Sequence, residues 1–127
     1  MLQVICIGSA TIDMFMTIQH PFKACTAGEK ILVDGIDYET GGGGSNAAVA
    51  LARMGIKVGY FGKLGKDGHA QNILDEFKKE KVKSVPVKRS DKHTAFSVIL
   101  ESSKERDRII YTHKGATNDL DEKDVSQ

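Results

Sequence analysis

Four consecutive glycines, Gly41 to Gly44, followed by Ser45 and Asn46, are the residues of this chain best suited to hold a ligand. Without a Cβ they take positive φ values, and the backbone N–H groups of Gly42 and Gly43 can come close to a bound group. Ser45 is a favoured N-cap residue, and the Ala-rich run after it predicts a helix to Met54, closed by Gly55. The start of such a helix points donors and a positive partial charge at whatever hydroxylated or anionic group lies over the glycines. Because Ser45 meets the capping need, the Asn46 amide is left to address a ligand hydroxyl. Asp13 is the second component. It follows the first apolar run, where open α/β sheets bind ligands, and a carboxylate can accept from two hydroxyls at once. Alone it reads as an ordinary turn aspartate; beside the glycine turn it reads as polyol recognition.

The elements that must position these residues alternate strand, helix, strand. Residues 2–7 are almost continuously apolar and end at Gly8, which predicts a central strand of a mostly parallel sheet, covered on both faces. Residues 57–62, with Val58, Tyr60 and Phe61, predict a second core strand after the Ser45 helix. Asp67 is placed to N-cap a further helix, in which Ala70, Ile73, Leu74 and Phe77 recur at helical spacing. Val85-Pro86-Val87 reads as a short strand, with Pro86 at an edge or strand end. Two regions alternate apolar and polar in the β manner and suggest a second layer: residues 30–39, interrupted at Gly35, and residues 94–100 with 108–112, which flank the polar turn Ser102 to Asp107 as a hairpin. The acidic tail from Asn118 to Gln127 has little to anchor it.

Gly41-Gly42-Gly43-Gly44-Ser45-Asn46, the small residue Ala48, Gly55 and Gly65 match, in type and spacing, the N-terminal signature of the ribokinase-like (PfkB) family of carbohydrate and nucleoside kinases, which the chain therefore resembles. Gly8 to Asp13 and Ile109 to Ala116 extend the resemblance over nearly all of the chain. It implies an α/β fold: part of a Rossmann-like ribokinase fold, a parallel sheet with flanking helices, plus a small β-sheet lid. On that reading core segments are residues 1–12 and 45–90, lid segments 13–44 and 91–115. It also implies Asp13, Gly41, Gly42, Gly43 and Asn46 as substrate-binding residues, a sugar or nucleoside as substrate, ATP and Mg2+ as cofactors of the complete kinase, and a homo-oligomer formed through lid strands; the exposed edge of a half-sheet independently predicts self-association. Family members are roughly twice this length or longer, whereas this length fits about one domain. No stretch resembling Gly-Ala-Gly-Asp occurs here, so the C-terminal catalytic and nucleotide half is expected to be absent and no catalytic residue is assigned. One departure is Gly43, where ribokinases proper commonly carry Lys; this leaves fructose-like, deoxy-sugar and nucleoside substrates open. A non-catalytic sugar-binding or dimerisation module is the alternative.

Composition narrows the classes further. Lys+Arg 18 against Asp+Glu 17 gives a net charge of +1, which argues against a nucleic-acid partner, and Lys78 to Lys83 reads as a solvated helix end. No apolar run approaches the roughly 20 residues that span a bilayer. Cys6 and Cys25 lie in different settings without metal-ligand spacing, and with the unremarkable Met1-Leu2-Gln3 start they point to the cytoplasm. His20, His69, His93 and His113 are scattered, so no metal site is predicted. Gly42-Gly43-Gly44-Ser45-Asn46-Ala47 also fits the dinucleotide pattern G-x-G-x-x-A, but that pattern needs an apolar strand directly before it, and residues 35–40 are polar. A phosphate-binding P-loop fails at Asp67, which stands where Ser or Thr is required.

Overall fold

The computed structural model describes residues 1–85 and 87–125. Along the chain run β1 (Val4–Ile7), β2 (Thr11–Ile18), β3 (Gly35–Gly41), α1 (Gly43–Arg53), β4 (Val58–Phe61), β5 (Lys63–Leu64), α2 (Gly68–Lys79), β6 (Lys83–Ser84), β7 (Lys88–Arg89), β8 (Ala95–Ser102), β9 (Asp107–His113) and α3 (Glu122–Val125). Three strands form a parallel sheet in the order β1-β4-β6, with Val4 to Ile7 in register with Val58 to Phe61. β4 is buried throughout, as its apolar run predicts.

Helices α1 and α2 cover this sheet through small and apolar faces. Ala48 of α1 and Ala70, Ile73 and Phe77 of α2 are fully or almost fully buried, with Val58 and Tyr60 of β4 beneath them. The Tyr60 and Phe77 rings lie 4.7 Å apart, and the Tyr60 hydroxyl donates to the Gly8 carbonyl at 2.7 Å. Burying a side chain of this size contributes about 1.5–3 kcal/mol, so the Tyr60–Phe77 pair is a main anchor of the core. Asp67 caps α2 as predicted, accepting from the Ala70 N–H at 3.0 Å. Gly55, at φ +86, ends α1 in the left-handed region.

A second, four-stranded sheet has the order β3-β2-β8-β9. Its two inner strands are parallel and its outer pairs antiparallel, and β8–β9 is the expected hairpin. The alternation in residues 30–39 becomes a strand from Gly35, continuing to Gly41. β2, the longest contributor along with β8, starts already at Thr11.

Several expectations need correction. β1 is an edge strand of the described sheet, not its centre, and it is not covered on both faces as expected: Ile5 and Ile7, which share one face, are 48% and 59% exposed. The reading of Val85-Pro86-Val87 as a strand rests on Pro86, which lies outside the described residues; β6 and β7 stand on either side of it. The tail is tied down as far as Asp124, because Lys63 Nζ donates to the Asp119 carbonyl at 3.0 Å and to Asp124 Oδ2 at 2.9 Å. Among the described residues no helix is long and apolar enough to cross a membrane.

Candidate functional site

Asp13 sits in β2, half-buried, and its Oδ1 accepts from the Thr11 hydroxyl at 2.9 Å. On the neighbouring strand Gly41 is buried directly opposite Thr11. A Cβ at position 41 would overlap Asp13 Oδ2 and stand 3.0 Å from Thr11 Oγ1. The carboxylate therefore occupies the space that the missing side chain leaves. Gly42 has φ +96, and a Cβ there would be 2.5 Å from the Ser9 carbonyl oxygen. Gly44 presses its backbone on Gly8, with a Cβ placed 2.8 Å from the Gly8 carbonyl carbon. Gly43 is different: a Cβ there would meet nothing within 4 Å. Gly42 and Gly44 are thus demanded by close backbone approach and Gly41 by the Asp13 and Thr11 side chains, whereas Gly43 is not demanded by either.

The helix start departs from the sequence reading. Gly42 is the N-cap residue and α1 begins at Gly43, so Ser45 falls inside the first turn, where it is buried. Capping comes from a distant residue instead. Ser9 Oγ accepts from the Gly43 N–H at 3.1 Å, and the Ser9 carbonyl accepts from the Ser45 N–H at 3.0 Å. The Gly43 donor expected to face a ligand is therefore already engaged. Nothing local in the sequence marks Ser9 as a cap, because it acts across 34 residues. Thr11 does carry a local signal, since its i, i+2 spacing from Asp13 in a strand puts both on one face.

Asn46 is exposed on α1, and its N–H bonds the Gly42 carbonyl at 2.8 Å. It opens onto a cleft of about 920 Å³ whose lining also includes Ile12, Glu39, Thr40, His69 and Asn72. Asp13 does not line this cleft. The structure thus brings Asp13 and Gly41 into contact, packs Gly42 and Gly43 against Ser9, and leaves Asn46 on a cleft that Asp13 does not line. Glu39 bridges the two regions, since it lines the cleft and is the cross-strand partner of Asp13. The dinucleotide alternative ends here: the strand before α1 is β3, an antiparallel edge of the four-stranded sheet and not a parallel core strand.

One polar hub fastens the four-stranded sheet to the core. Asp67 Oδ2 accepts from the Thr94 N–H at 2.8 Å and Oδ1 from the Thr94 hydroxyl at 2.7 Å, while that hydroxyl accepts from the Gly65 N–H at 3.0 Å. Partial burial raises the Asp67 pKa, but hydrogen bonds from Thr94 and Ala70 outweigh it and hold the carboxyl at about 2. β8 starts at the next residue, so this carboxylate fixes where that strand leaves the core.

A parallel α/β core bearing a mixed sheet, with an aspartate held over a glycine turn at a helix start, defines a sugar-kinase-type fold. A solved ribokinase from Giardia lamblia shares this fold with a TM-score of 0.87 at 22% identity, covering 98% of this chain and 40% of that one. A ribokinase from Cryptococcus neoformans in complex with ADP matches with a TM-score of 0.74 and 29% identity over 91% of this chain and 36% of that one. Among curated relatives, the ribokinase of Bacillus subtilis is 35% identical over 117 residues, 90% of this chain and 38% of that protein. The profile of the pfkB family of carbohydrate kinases matches residues 1–127, and the chain belongs to that family. It spans about two fifths of the length of the relatives it matches.

Proposed function

We propose that this chain is the acceptor-binding, N-terminal part of an ATP-dependent kinase that phosphorylates a hydroxyl of a sugar or nucleoside. The Asp13 carboxylate seated over Gly41 carries the reading. One oxygen is held by Thr11, and a carboxylate so fixed can still accept from ligand hydroxyls. Asn46 and the backbone of Gly41 and Gly42 complete the acceptor site, with Gly43, whose N–H is held by Ser9, lining it through its Cα alone. Phosphoryl transfer depends on positioning the acceptor and neutralising charge around the transferred group. This chain supplies the first of these; the catalytic base and the donor site belong to residues outside it.

ATP would supply the phosphoryl group and Mg2+ would ride on its phosphates. Among the described residues no three His, Cys, Asp or Glu side chains come close enough to hold a metal ion.

The test is to produce the chain together with the remaining C-terminal part of a ribokinase and to follow ATP-dependent sugar phosphorylation. Turnover that disappears in Asp13→Ala supports the reading. Sugar binding without turnover in any such mixture would favour the non-catalytic binding module instead. That second reading, and self-association through the lid strands or the β1 edge, have their own support: Ile36, Tyr38 and Tyr111 are 50%, 61% and 62% exposed on one face of the four-stranded sheet. Sedimentation checks the association, and a monomer at high concentration would argue against it.

A further inference from the structure

The register of the four-stranded sheet sets Glu39 of β3 opposite Asp13 of β2, Asp13 beside Ser97 of β8, and Ser97 opposite Thr112 of β9. These four residues form one row across one face, since directly paired positions share a face with Cβ atoms about 4.5–5.5 Å apart in antiparallel pairs. The row is acidic at one end and hydroxylic at the other, where the Ser97 and Thr112 hydroxyls bond each other at 3.1 Å. The next row on the same face is Asp37, Phe15, Ile99 and Ile110, a third carboxylate followed by an apolar wall.

No cation answers these carboxylates within either row. Arg108 is one row further on, opposite Glu101, and Lys114 lies beyond the last pair of the sheet. The other sources of positive potential are also reduced. Position 43 carries no side chain, and the first-turn donors of Gly43 and Ser45 are held by Ser9. Like charges directly opposite in a sheet are destabilising. A ligand that donates hydroxyl hydrogens to Asp13 and Glu39 relieves that repulsion, whereas one carrying its own carboxylate or phosphate adds to it.

We propose that Glu39 is a specificity-determining residue of the acceptor site: paired with Asp13, it makes the site take neutral, hydroxyl-bearing sugars and reject sugar acids of the same length. This rests on the acceptor-binding reading given above. Phe15, half-buried, supplies the apolar surface on which the C–H face of such a sugar lies, backed by the buried Ile99, and Glu39 adds a second acceptor to that of Asp13.

The experiment is a calorimetric titration of the full chain with ribose and with ribonate, in which C1 is oxidised to a carboxylate and the ring no longer closes, repeated for Glu39→Gln and Glu39→Lys so that the effect of charge is read from the change between variants. The expected result is ribose binding at least ~10-fold tighter than ribonate in the unchanged chain, a gap narrowed ~10-fold or more by Glu39→Lys and by a smaller factor in Glu39→Gln, as removal or reversal of one nearby charge requires. Glu39→Gln is isosteric on an exposed strand position, so it keeps the test intact if the Lys variant melts early. Equal affinity for the two ligands in the unchanged chain, or a gap that both variants leave alone, overturns the selectivity while leaving the acceptor site standing. Failure of both ligands to bind overturns the acceptor-binding reading itself, and the selectivity with it.

Discussion

Asp13 and Gly41 share one space: the carboxylate of the first lies where the side chain of the second would be. Replacing Gly41 by Ala must therefore push Asp13 aside or shift β3 against β2. Gly41→Ala and Asp13→Ala are expected to weaken sugar binding alike, by about 10–100-fold, the value of one or two hydrogen bonds to a charged group. They differ in stability. Asp13→Ala should leave the melting temperature nearly unchanged, whereas Gly41→Ala should lower stability by about 1–3 kcal/mol through overpacking. Calorimetry and thermal melts of the two variants check this pair of outcomes, and unchanged sugar affinity in Asp13→Ala would remove that residue from the site.

Gly43 and Gly44 are neighbours with opposite demands. A side chain at 43 meets open space, while one at 44 meets the Gly8 backbone. Gly43→Lys should fold with stability within about 0.5 kcal/mol of the parent, as exposed substitutions without special backbone demands do. Gly44→Ala should cost at least about 2 kcal/mol, because backbone on both sides cannot yield cheaply. Denaturant titration distinguishes them; equal stability would contradict the packing of α1 on the Gly8 turn.

Asp67 makes a pH prediction whose sign follows from its hydrogen bonds. Its folded pKa, about 2, lies below the ordinary value of 3.8, so the unfolded chain takes up the proton first as pH falls. The stabilisation is fully present above about pH 4 and is lost as the pH drops through about 2. Asp67→Asn should remove this component, flattening the acid limb of a stability–pH curve measured between pH 5 and pH 2. An identical slope in the variant would show that the Thr94 contacts do not hold the charge.

Lys81 follows α2 with φ +61, where a non-glycine residue is strained, and the Val82 N–H closes the turn on the Phe77 carbonyl at 2.8 Å. Lys81→Gly should stabilise the chain by about 0.5–1 kcal/mol, since glycine is the favoured residue after a helix end of this kind. A melt that is unchanged or lower would contradict the local geometry.

Much of this was legible from residue type and spacing where the physics is local. Asp67 and the Ala70, Ile73, Leu74, Phe77 stripe place α2 correctly, the β8–β9 hairpin follows from two alternating runs around a polar turn, and the glycine run marks a site of close approach. The failures share a cause: they depend on partners far along the chain. Ser45 has the right type for a cap, yet Ser9 reaches the helix first and shifts its start to Gly43. The apolar run of β1 reads as a central strand, yet whether it is central depends on what pairs its outer side. Met14-Phe15-Met16 shows no alternation, so β2 was invisible until its pairing with β8, more than 80 residues on, gave it a place. Glu39 shows nothing special alone; its register opposite Asp13 gives it meaning.

The most direct test of the central claim is the amide spectrum of the isotopically labelled chain, 13.8 kDa, during titration with neutral pentoses and nucleosides. The account predicts saturable shifts concentrated at Asp13, Gly41, Gly42, Gly43 and Asn46, extending to Glu39 and Ser97 across the sheet, and lost in Asp13→Ala. Shifts that do not saturate, or that gather on the surface of α2 and spare the glycine turn, would contradict the assignment of these residues as a sugar-binding site.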